Sequence, residues 1–175
     1  SSTEIEKMED LVENISIEMK KEGEKQLVFL DGEDVSAEIR STQVDEHVAK
    51  YAALACVRNK MTPLQRKMGE KGNIIMEGRD IGTAVFPNAN VKIYLDASIE
   101  ERAKRRYQQD LEKGMEVTYE EILESMKQRH KLETQREIAP LRQADDAIYL
   151  DSTHLSIEQV IEKVIKIINE KREEQ

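Results

Sequence analysis

The stretch IIMEGRDIGTAVFP, residues 74–87, decides the fold. Its first three residues form a short apolar run, which is typical of a buried strand. The run ends abruptly at Glu77, Arg79 and Asp80. Such charges are costly to bury unpaired, but in an open α/β sheet ligands bind beyond the carboxyl ends of the strands. The stretch therefore predicts either a strand leading into a ligand crevice or a plain turn with solvated charges.

The residues before this stretch predict helices and one hairpin turn. Ser2 or Thr3 is expected to begin a helix that runs to about Lys21, and residues 26–30 are expected to form a strand that ends at an Asp-Gly turn. A connector over residues 34–40 then leads to a helix from Thr42. Pro63 either begins a new helix or kinks one long helix, and the pattern leaves both possibilities open.

The residues after this stretch alternate between strands and helices. Strands are predicted at residues 91–95 and 147–150, with helices after Ser98, Thr118 and Ser156. Each of these three residues is followed three positions later by Glu or Gln, which is a capping box. Alternating strands and helices favour a parallel sheet. The last helix carries a clean apolar stripe at helical spacing and is expected to fray at residues 171–175.

Composition limits the classes of function. The 175 residues suit one domain, with or without a small appended lobe, and 38% hydrophobic against 36% charged residues predicts a lean core. A net charge of −9 is unfavourable for binding nucleic acid. The lone Cys56 excludes an internal disulfide or a cysteine metal cluster. Without a long apolar run or an apolar signal core, the chain is predicted to be cytoplasmic, with no membrane partner.

Two arginines near the end of the helix predicted after Thr118 are candidates for binding phosphate. Arg129 and Arg136 lie seven residues apart and therefore share a helix face. Guanidinium groups bind phosphate bidentately, and phosphoryl transfer requires mainly positioned cations. The alternative is an ordinary solvated helix face, in which both arginines pair with Glu133 between them.

Four segments together resemble bacterial cytidylate kinases. EGRDIGTAVFP is similar to the DGRDxGTxVxP segment of that family, and the similarity continues through VKIYLDASIEERAKRR, REIAPLRQADDA and LDSTHLSIEQVIEKV. The resemblance implies the P-loop nucleoside-monophosphate-kinase fold, an α/β fold with a parallel sheet flanked by helices. It assigns residues 1–51 to a monophosphate-binding insert, 52–104 and 138–175 to the core, and 105–137 to a mobile lid.

The resemblance also implies roles for single residues. The cytosine base would face Arg58 and Asp80, and the acceptor phosphate would be held by Arg79 and Arg136. Glu133 and Arg129 would reach the ribose or the transferring group. The implied catalytic residues are Arg79, Arg129 and Arg136; the ATP-binding residues are Arg105, Arg106 and Arg129; and Glu77 would steady Mg²⁺.

The implied activity is Mg²⁺-dependent phosphoryl transfer from ATP to CMP or dCMP by a monomer. Ala49, His130 and Glu133 depart from the family pattern, which leaves open a monophosphate kinase of different base preference. No stretch of the sequence matches G-x-x-x-x-G-K-[ST], the P-loop that follows the central strand. We therefore expect an incomplete view of a longer polypeptide, or a piece of a protein completed by another segment. If the 175 residues are everything, we expect a poorly folded protein with negligible kinase activity. The alternative function is a non-catalytic nucleotide-binding or interaction fragment that keeps the acceptor pocket without the donor site.

Overall fold

The computed structural model describes residues 2–174, with side chains from Glu6 onward. The chain divides into two compact units at Ile74 and Ile75. The first unit contains helix α1 (Ser2–Asn14), strands β1 (Ile17–Glu22), β2 (Lys25–Leu30) and β3 (Glu33–Asp34), a 3₁₀ turn (Glu38–Arg40), and helices α2 (Thr42–Tyr51) and α3 (Ala55–Gly69). The three strands form an antiparallel sheet in the order β1-β2-β3.

The predicted first helix is wrong beyond Asn14. Ile17–Glu22 forms strand β1 instead of the last turns of a helix, and it pairs along its whole length with β2, from Ile17 opposite Leu30 to Glu22 opposite Lys25. Gly23 is the first residue of the two-residue hairpin turn and has φ +60°. Cross-strand pairing outweighs the imperfect helical periodicity of this segment because six residues find partners at once.

The predicted strand at residues 26–30 and its Asp-Gly turn are confirmed. Asp31 and Gly32 both have positive φ, at 51° and 87°, between paired residues Leu30 and Glu33. A two-residue turn of this type matches the right-handed twist of the flanking strands and favours Asp-Gly. The short β3 then leads into the 3₁₀ turn that occupies the predicted connector.

Pro63 lies inside α3 and begins no new helix. The break in the helical region falls instead at residues 52–54, where Leu54 becomes the N-cap of α3 in an extended conformation. A proline in a helix removes one backbone donor, so the helix continues through Pro63 with one fewer hydrogen bond.

The second unit begins with a single π turn (Ile81–Val85) and continues through β4 (Ile93–Asp96), α4 (Ile99–Glu112), α5 (Tyr119–Gln135), β5 (Ile148–Asp151) and α6 (Ile157–Glu173). Strands β4 and β5 are parallel, with Ile93 opposite Ile148 and Asp96 opposite Asp151. The predicted parallel sheet and its helices are thus present, and the α/β class is confirmed. None of the helices in residues 2–174 is long and apolar enough to cross a bilayer.

The predicted buried strand at residues 74–76 is wrong. These residues form no strand, and Ile75 is 91% exposed. A strand is stable only when a neighbouring strand satisfies its backbone groups, and in the described part of the chain β4 pairs with β5 alone. An apolar run of three residues carries no information about whether that neighbour is present.

The helix caps agree closely with the prediction. The boxes at Thr118 and Ser156 are complete, with Glu121 and Gln159 as the reciprocal partners. At Ser98 only half of the box forms, because the Glu101 side chain pairs with Arg105 instead. The last helix runs to Glu173 and so includes the first three residues of the tail expected to fray, while Gln175 lies outside the described residues.

The core is small, as the composition predicts. Helices α4 and α5 pack against each other, with Ala103 and Ile122 buried on these helices. Val85 and Leu150 are the buried residues of the π turn and the sheet. The apolar stripe of α6 is confirmed as a helical face, but its members Ile157, Ile161 and Ile165 are exposed among the residues described.

Candidate phosphate-binding site

The segment after residue 77 turns sharply because Asp80 caps a π turn with its backbone. The Asp80 carbonyl accepts hydrogen bonds from the amides of Ala84 (2.8 Å) and Val85 (3.2 Å), and Phe86 donates to the carbonyl of Ile81 at 2.7 Å. Single π turns of this kind are rare in proteins, and those that do occur are often found at functional sites. Val85 is buried and anchors the turn, so the backbone position from which the Asp80 side chain extends is fixed.

A buried lysine secures the end of this segment. The Nζ of Lys92 donates to the Pro87 carbonyl and to both carboxylate oxygens of Asp146, at 2.8 and 2.7 Å. Its stem passes beside Gly82, where an added Cβ would lie 3.4 Å from Lys92 Cδ. The hydrogen bond from Lys92 lowers the pKa of Asp146 below its ordinary value. Lys92 thus links the end of the π-turn segment to the residues just before β5.

Arg136 is buried directly after α5 and faces Asp80. Its Nη2 lies 3.3 Å from Asp80 Oδ1, and its Nε donates to the carbonyl of Ala139 at 2.7 Å. The Arg136 side chain is only 6% exposed. Buried charges require partners, so this ion pair ties the start of the π turn to the segment after α5. The predicted Asp80 and Arg136 are therefore brought together, each as the other's partner.

A second cluster is built on Glu133, which we call the arginine clamp: Arg79, Arg129 and Glu133. Arg79 Nε donates to Glu133 Oε2 at 2.8 Å, and Arg129 Nε donates to Glu133 Oε1 at 2.9 Å. The carboxylate is 7% exposed, whereas the side chains of Arg79 and Arg129 are 48% and 36% exposed. The pairing of Arg129 with Glu133, weighed as an alternative in the sequence, is confirmed. The matching pairing of Arg136 with Glu133 is wrong because Arg136 pairs with Asp80.

The two clusters together contain three arginines and two carboxylates, which leaves one positive charge in excess. Each cluster includes one residue from the start of the π-turn segment. Arg79 belongs to the arginine clamp, and the adjacent Asp80 pairs with Arg136. Their partners Glu133 and Arg136 are three residues apart at the end of α5. An arrangement of preorganised guanidinium groups with excess positive charge can bind an anion such as phosphate.

The predicted ATP-binding arginines of α4 hold other parts of the second unit. Arg105 Nη2 donates to the Ser152 carbonyl at 2.6 Å, and its Nε donates to Glu101 at 3.0 Å. Arg106 Nε donates to the buried Asp110 at 2.9 Å. The third predicted residue, Arg129, belongs to the arginine clamp.

Two predicted site residues remain, Arg58 of the first unit and Glu77 of the second. Arg58 is on α3 in the first unit, where its Nη1 donates to the Ala52 carbonyl at 3.5 Å. Glu77 is exposed. No group of three or more metal-binding side chains occurs among the residues that the structure describes. Mg²⁺, however, is held by one or two carboxylates together with substrate phosphates, and the exposed Glu77 fits that donor set.

Sequence reasoning missed Lys92 and Ser152 as parts of this region. Ser152 is buried, its amide and hydroxyl both donate to the Asp96 carbonyl at 2.7 and 2.9 Å, and it receives Arg105. A lysine at the start of an apolar strand, as in VKIYL, was the available signal for Lys92. No comparable signal marks Ser152, since a serine after a strand is ordinary.

The second unit is an α/β unit with two clusters of paired arginines, an arrangement compatible with the class of proteins that bind phosphorylated ligands. The family model described as cytidylate kinase matches residues 1–170. A cytidylate kinase of Bacillus subtilis is 44% identical over 97% of this chain and 75% of its own length. Those of Bacillus licheniformis and Bacillus velezensis are 47% and 46% identical, over 90% and 93% of this chain and 69% and 72% of their own lengths. The chain belongs to the cytidylate kinase family.

Proposed function

We propose that this protein acts in Mg²⁺-dependent phosphoryl transfer from ATP to CMP or dCMP, giving CDP or dCDP. The observation that carries the proposal is the pairing of Arg79, Asp80, Arg129, Glu133 and Arg136 in two neighbouring clusters. Phosphoryl transfer asks the protein for positioning and for cations around the phosphate oxygens rather than for covalent chemistry. Membership of the cytidylate kinase family supports the same reaction.

The acceptor phosphate is proposed to bind Arg79 and Arg136, which approach from the π-turn segment and from the end of α5. Arg129, with Glu133 beside it, then serves the ribose or the transferring phosphoryl group. Asp80 accepts a hydrogen bond from the exocyclic amine of cytosine, and Arg58 donates to the ring acceptors. Uracil presents a carbonyl in place of that amine, so two acceptors would face each other and UMP would bind less well.

The donor is proposed to be ATP, with Arg105, Arg106 and Arg129 near its phosphates. Mg²⁺ would be held by Glu77 and the nucleotide phosphates, and when bound it supplies charge neutralisation to the phosphate oxygens. The protein residues bind and orient the two nucleotides, and closure of the predicted lid, residues 105–137, would exclude water. From the resemblance to the family we also propose that the protein acts as a monomer in the cytoplasm.

For the 175 residues by themselves we propose acceptor binding without phosphoryl transfer. The supporting observation is that no stretch of the printed sequence matches the P-loop motif that cradles ATP phosphates. The exposed Ile75 and the two-stranded sheet of the second unit agree with this second candidate function. Binding of CMP and transfer of phosphate can therefore be tested separately for this chain.

Two measurements on the purified chain test these proposals. Calorimetric titration should show binding of CMP and dCMP, weaker binding of UMP, and still weaker binding of AMP. A coupled assay for ADP release with CMP, ATP and Mg²⁺ should give no rate above background. Equal affinity for UMP and CMP would remove the assigned role of Asp80 and favour a kinase of different base preference, for which Ala49 is the sequence feature. A clear rate of ADP release would contradict the second candidate function.

A further inference from the structure

We propose that the first unit contains a separate anion-binding site, which takes a phosphate group in a cavity between β2 and the 3₁₀ turn. The cavity has a volume of about 370 Å³, which lies in the range of small-molecule sites. Its lining residues are Lys25, Gln26, Leu27, Ser36, Ala37 and Arg40. None of them belongs to the proposed acceptor, donor or metal sites, so the cavity site is independent of the proposed function.

Hydrogen bonds hold the two walls of this cavity together. One wall is the first half of β2, and the other is the segment from Ser36 to Arg40. Next to the cavity, the Val28 amide donates to Ser36 Oγ at 2.8 Å, and the Val35 amide donates to the Val28 carbonyl at 2.9 Å. The spacing of the walls is therefore set by the same hydrogen bonds that fold this part of the unit.

Two cations line the cavity without a carboxylate partner. Neither Lys25 nor Arg40 forms an ion pair among the side chains that the structure describes. Lys20 of the same sheet differs, because its Nζ lies 3.2 Å from a carboxylate oxygen of Glu18 and 4.5 Å from the centre of the Phe29 ring. A concave surface with two uncompensated positive charges attracts an anion.

Arg40 is oriented before any ligand arrives. Its Nη1 donates to the Ser36 carbonyl, and Ser36 is itself held in place because its amide donates to Asp34 Oδ1 at 2.9 Å. A guanidinium group has five N–H donors, so most of those on Arg40 remain available for a ligand. Because a preorganised donor group loses less freedom on binding, Arg40 should bind an anion at a lower cost than a mobile side chain would.

The charge and the donors of the cavity favour phosphate over a carboxylate. Two cations match a phosphate group, which carries about two negative charges at neutral pH, whereas a carboxylate carries only one. The planar guanidinium group of Arg40 fits two phosphate oxygens, and the ammonium group of Lys25 adds a compact charge. The side chains of Leu27 and Ala37 supply an apolar surface for the rest of a phosphate ester. The ligand is therefore inorganic phosphate or the phosphate of a small ester such as a nucleotide.

Nuclear magnetic resonance titration of the ¹⁵N-labelled chain with sodium phosphate, at constant ionic strength, tests the site. The amide signals of Lys25, Gln26 and Ala37 should shift and saturate together. Lys25→Gln should weaken this binding about tenfold, as expected for losing one charged hydrogen bond. The matched control is Lys50→Gln, the same change at an exposed lysine of α2, which should leave the phosphate affinity unchanged.

Three results would overturn the proposal. The first is a shift of these amide signals that does not saturate, and the second is the same shift when sodium chloride replaces phosphate. The third is equal phosphate affinity in the parent and in Lys25→Gln. Arg40→Gln, checked for folding by circular dichroism, should lose about as much affinity as Lys25→Gln. If Arg40→Gln fails to fold, the comparison of Lys25→Gln with Lys50→Gln decides.

Titration with CMP distinguishes the two sources of the phosphate group. If CMP saturates the same amide signals at a lower concentration than phosphate does, the cavity binds a nucleotide phosphate. If only phosphate saturates them, the ligand is the free ion, and the site stands in either case. Shifts confined to residues 75–175 with both ligands would overturn the cavity site while leaving the proposed function intact.

Discussion

Arg136 and Asp80 form an ion pair that is shielded from water, with both side chains almost fully buried. Breaking a buried ion pair by removing one member is costly, because the remaining buried charge loses a partner. Arg136 also donates to the carbonyl of Ala139, a residue with φ +49°, so it supports an unusual backbone segment as well. Arg136 is therefore both a proposed phosphate-binding residue and a residue that stabilises the second unit.

Replacing Arg136 with alanine should lower the free energy of unfolding of the second unit by about 3 kcal/mol, because a buried ion pair with the Asp80 carboxylate is broken. Urea denaturation followed by circular dichroism measures the change. The control is Arg142→Ala, which removes an exposed arginine of the same segment and should cost less than about 0.5 kcal/mol. A loss below about 1 kcal/mol for Arg136→Ala would contradict the importance of this pair.

A polar network in the first unit gives a prediction that depends on pH. The hydroxyl of Ser36 and then its amide donate to Asp34 and lower the pKa of that carboxyl below 3.8. The same hydroxyl accepts the amide of Val28 at 2.8 Å, which links β2 to the turn before α2. Since the folded pKa lies below the unfolded one, this contribution to stability is complete above pH 3.8. It is lost as the pH falls through the folded pKa.

The variant Ser36→Ala should raise the pKa of Asp34 towards 3.8, because the larger of the two hydrogen bonds is lost while the amide bond remains. Nuclear magnetic resonance titration of the Asp34 carboxyl carbon measures this value. Ser16→Ala, which removes an exposed hydroxyl of the same unit, should leave the pKa of Asp34 unchanged. An unchanged value in Ser36→Ala would show that the hydroxyl is not the main cause.

At the scale of elements, the capping box of α5 determines where that helix begins. The Thr118 side chain accepts from the Glu121 amide, and the Glu121 side chain accepts from the Thr118 amide at 3.0 Å. Hydrogen bonding to Thr118 also lowers the pKa of Glu121. The same helix carries Arg129 and Glu133 nearer its other end, so its first turn and the arginine clamp share one rigid element.

Thr118→Ala should destabilise the second unit by about 1 kcal/mol, the usual cost of losing an N-cap. Hydrogen exchange should rise most at the first turn of α5, where the amides lose their acceptor. The matched variant Ser125→Ala lies in the exposed middle of the same helix and should be neutral or slightly stabilising, since alanine has the higher helix propensity. Equal effects of the two substitutions would contradict the role of the cap.

Local chemistry explains which elements could be predicted. The caps at Thr118 and Ser156, the Asp-Gly turn and the apolar runs of β4 and β5 depend on neighbours in sequence, and all are confirmed. The segment after Asn14 and residues 74–76 depend on which strand lies beside them, and there the predictions are wrong. In the site, helical spacing indicated the Arg129–Glu133 pair, whereas Arg79–Glu133 spans 54 residues and has no local signal.

At the scale of the whole molecule, the two compact units meet in sequence at an exposed and irregular segment. Gly72 and Asn73 both have positive φ, and residues 74–77 lie outside any helix or strand. Chain segments of this kind are the preferred sites of proteolytic nicking. The division between Ile74 and Ile75 therefore predicts where the native protein is most easily cut.

Limited digestion with trypsin should cut first after Lys71, because this exposed lysine lies just beyond α3. The expected products are residues 1–71 and 72–175, identified by intact mass. Lys71→Gln should slow the first cut at least tenfold, while Lys127→Gln, in the middle of α5, should leave its rate unchanged. First cuts inside α5 would contradict the proposed order of local stability.

The chemical reactivity of Lys92 can be used to measure local opening of the second unit. Its ammonium is enclosed by Asp146 and the Pro87 carbonyl, and its side chain is only 7% exposed. An acylating reagent reacts only with an accessible, uncharged amine, so Lys92 should be acetylated after the exposed lysines. Its rate of acetylation, followed by peptide mass spectrometry, would then track how often the π-turn segment detaches from the sheet.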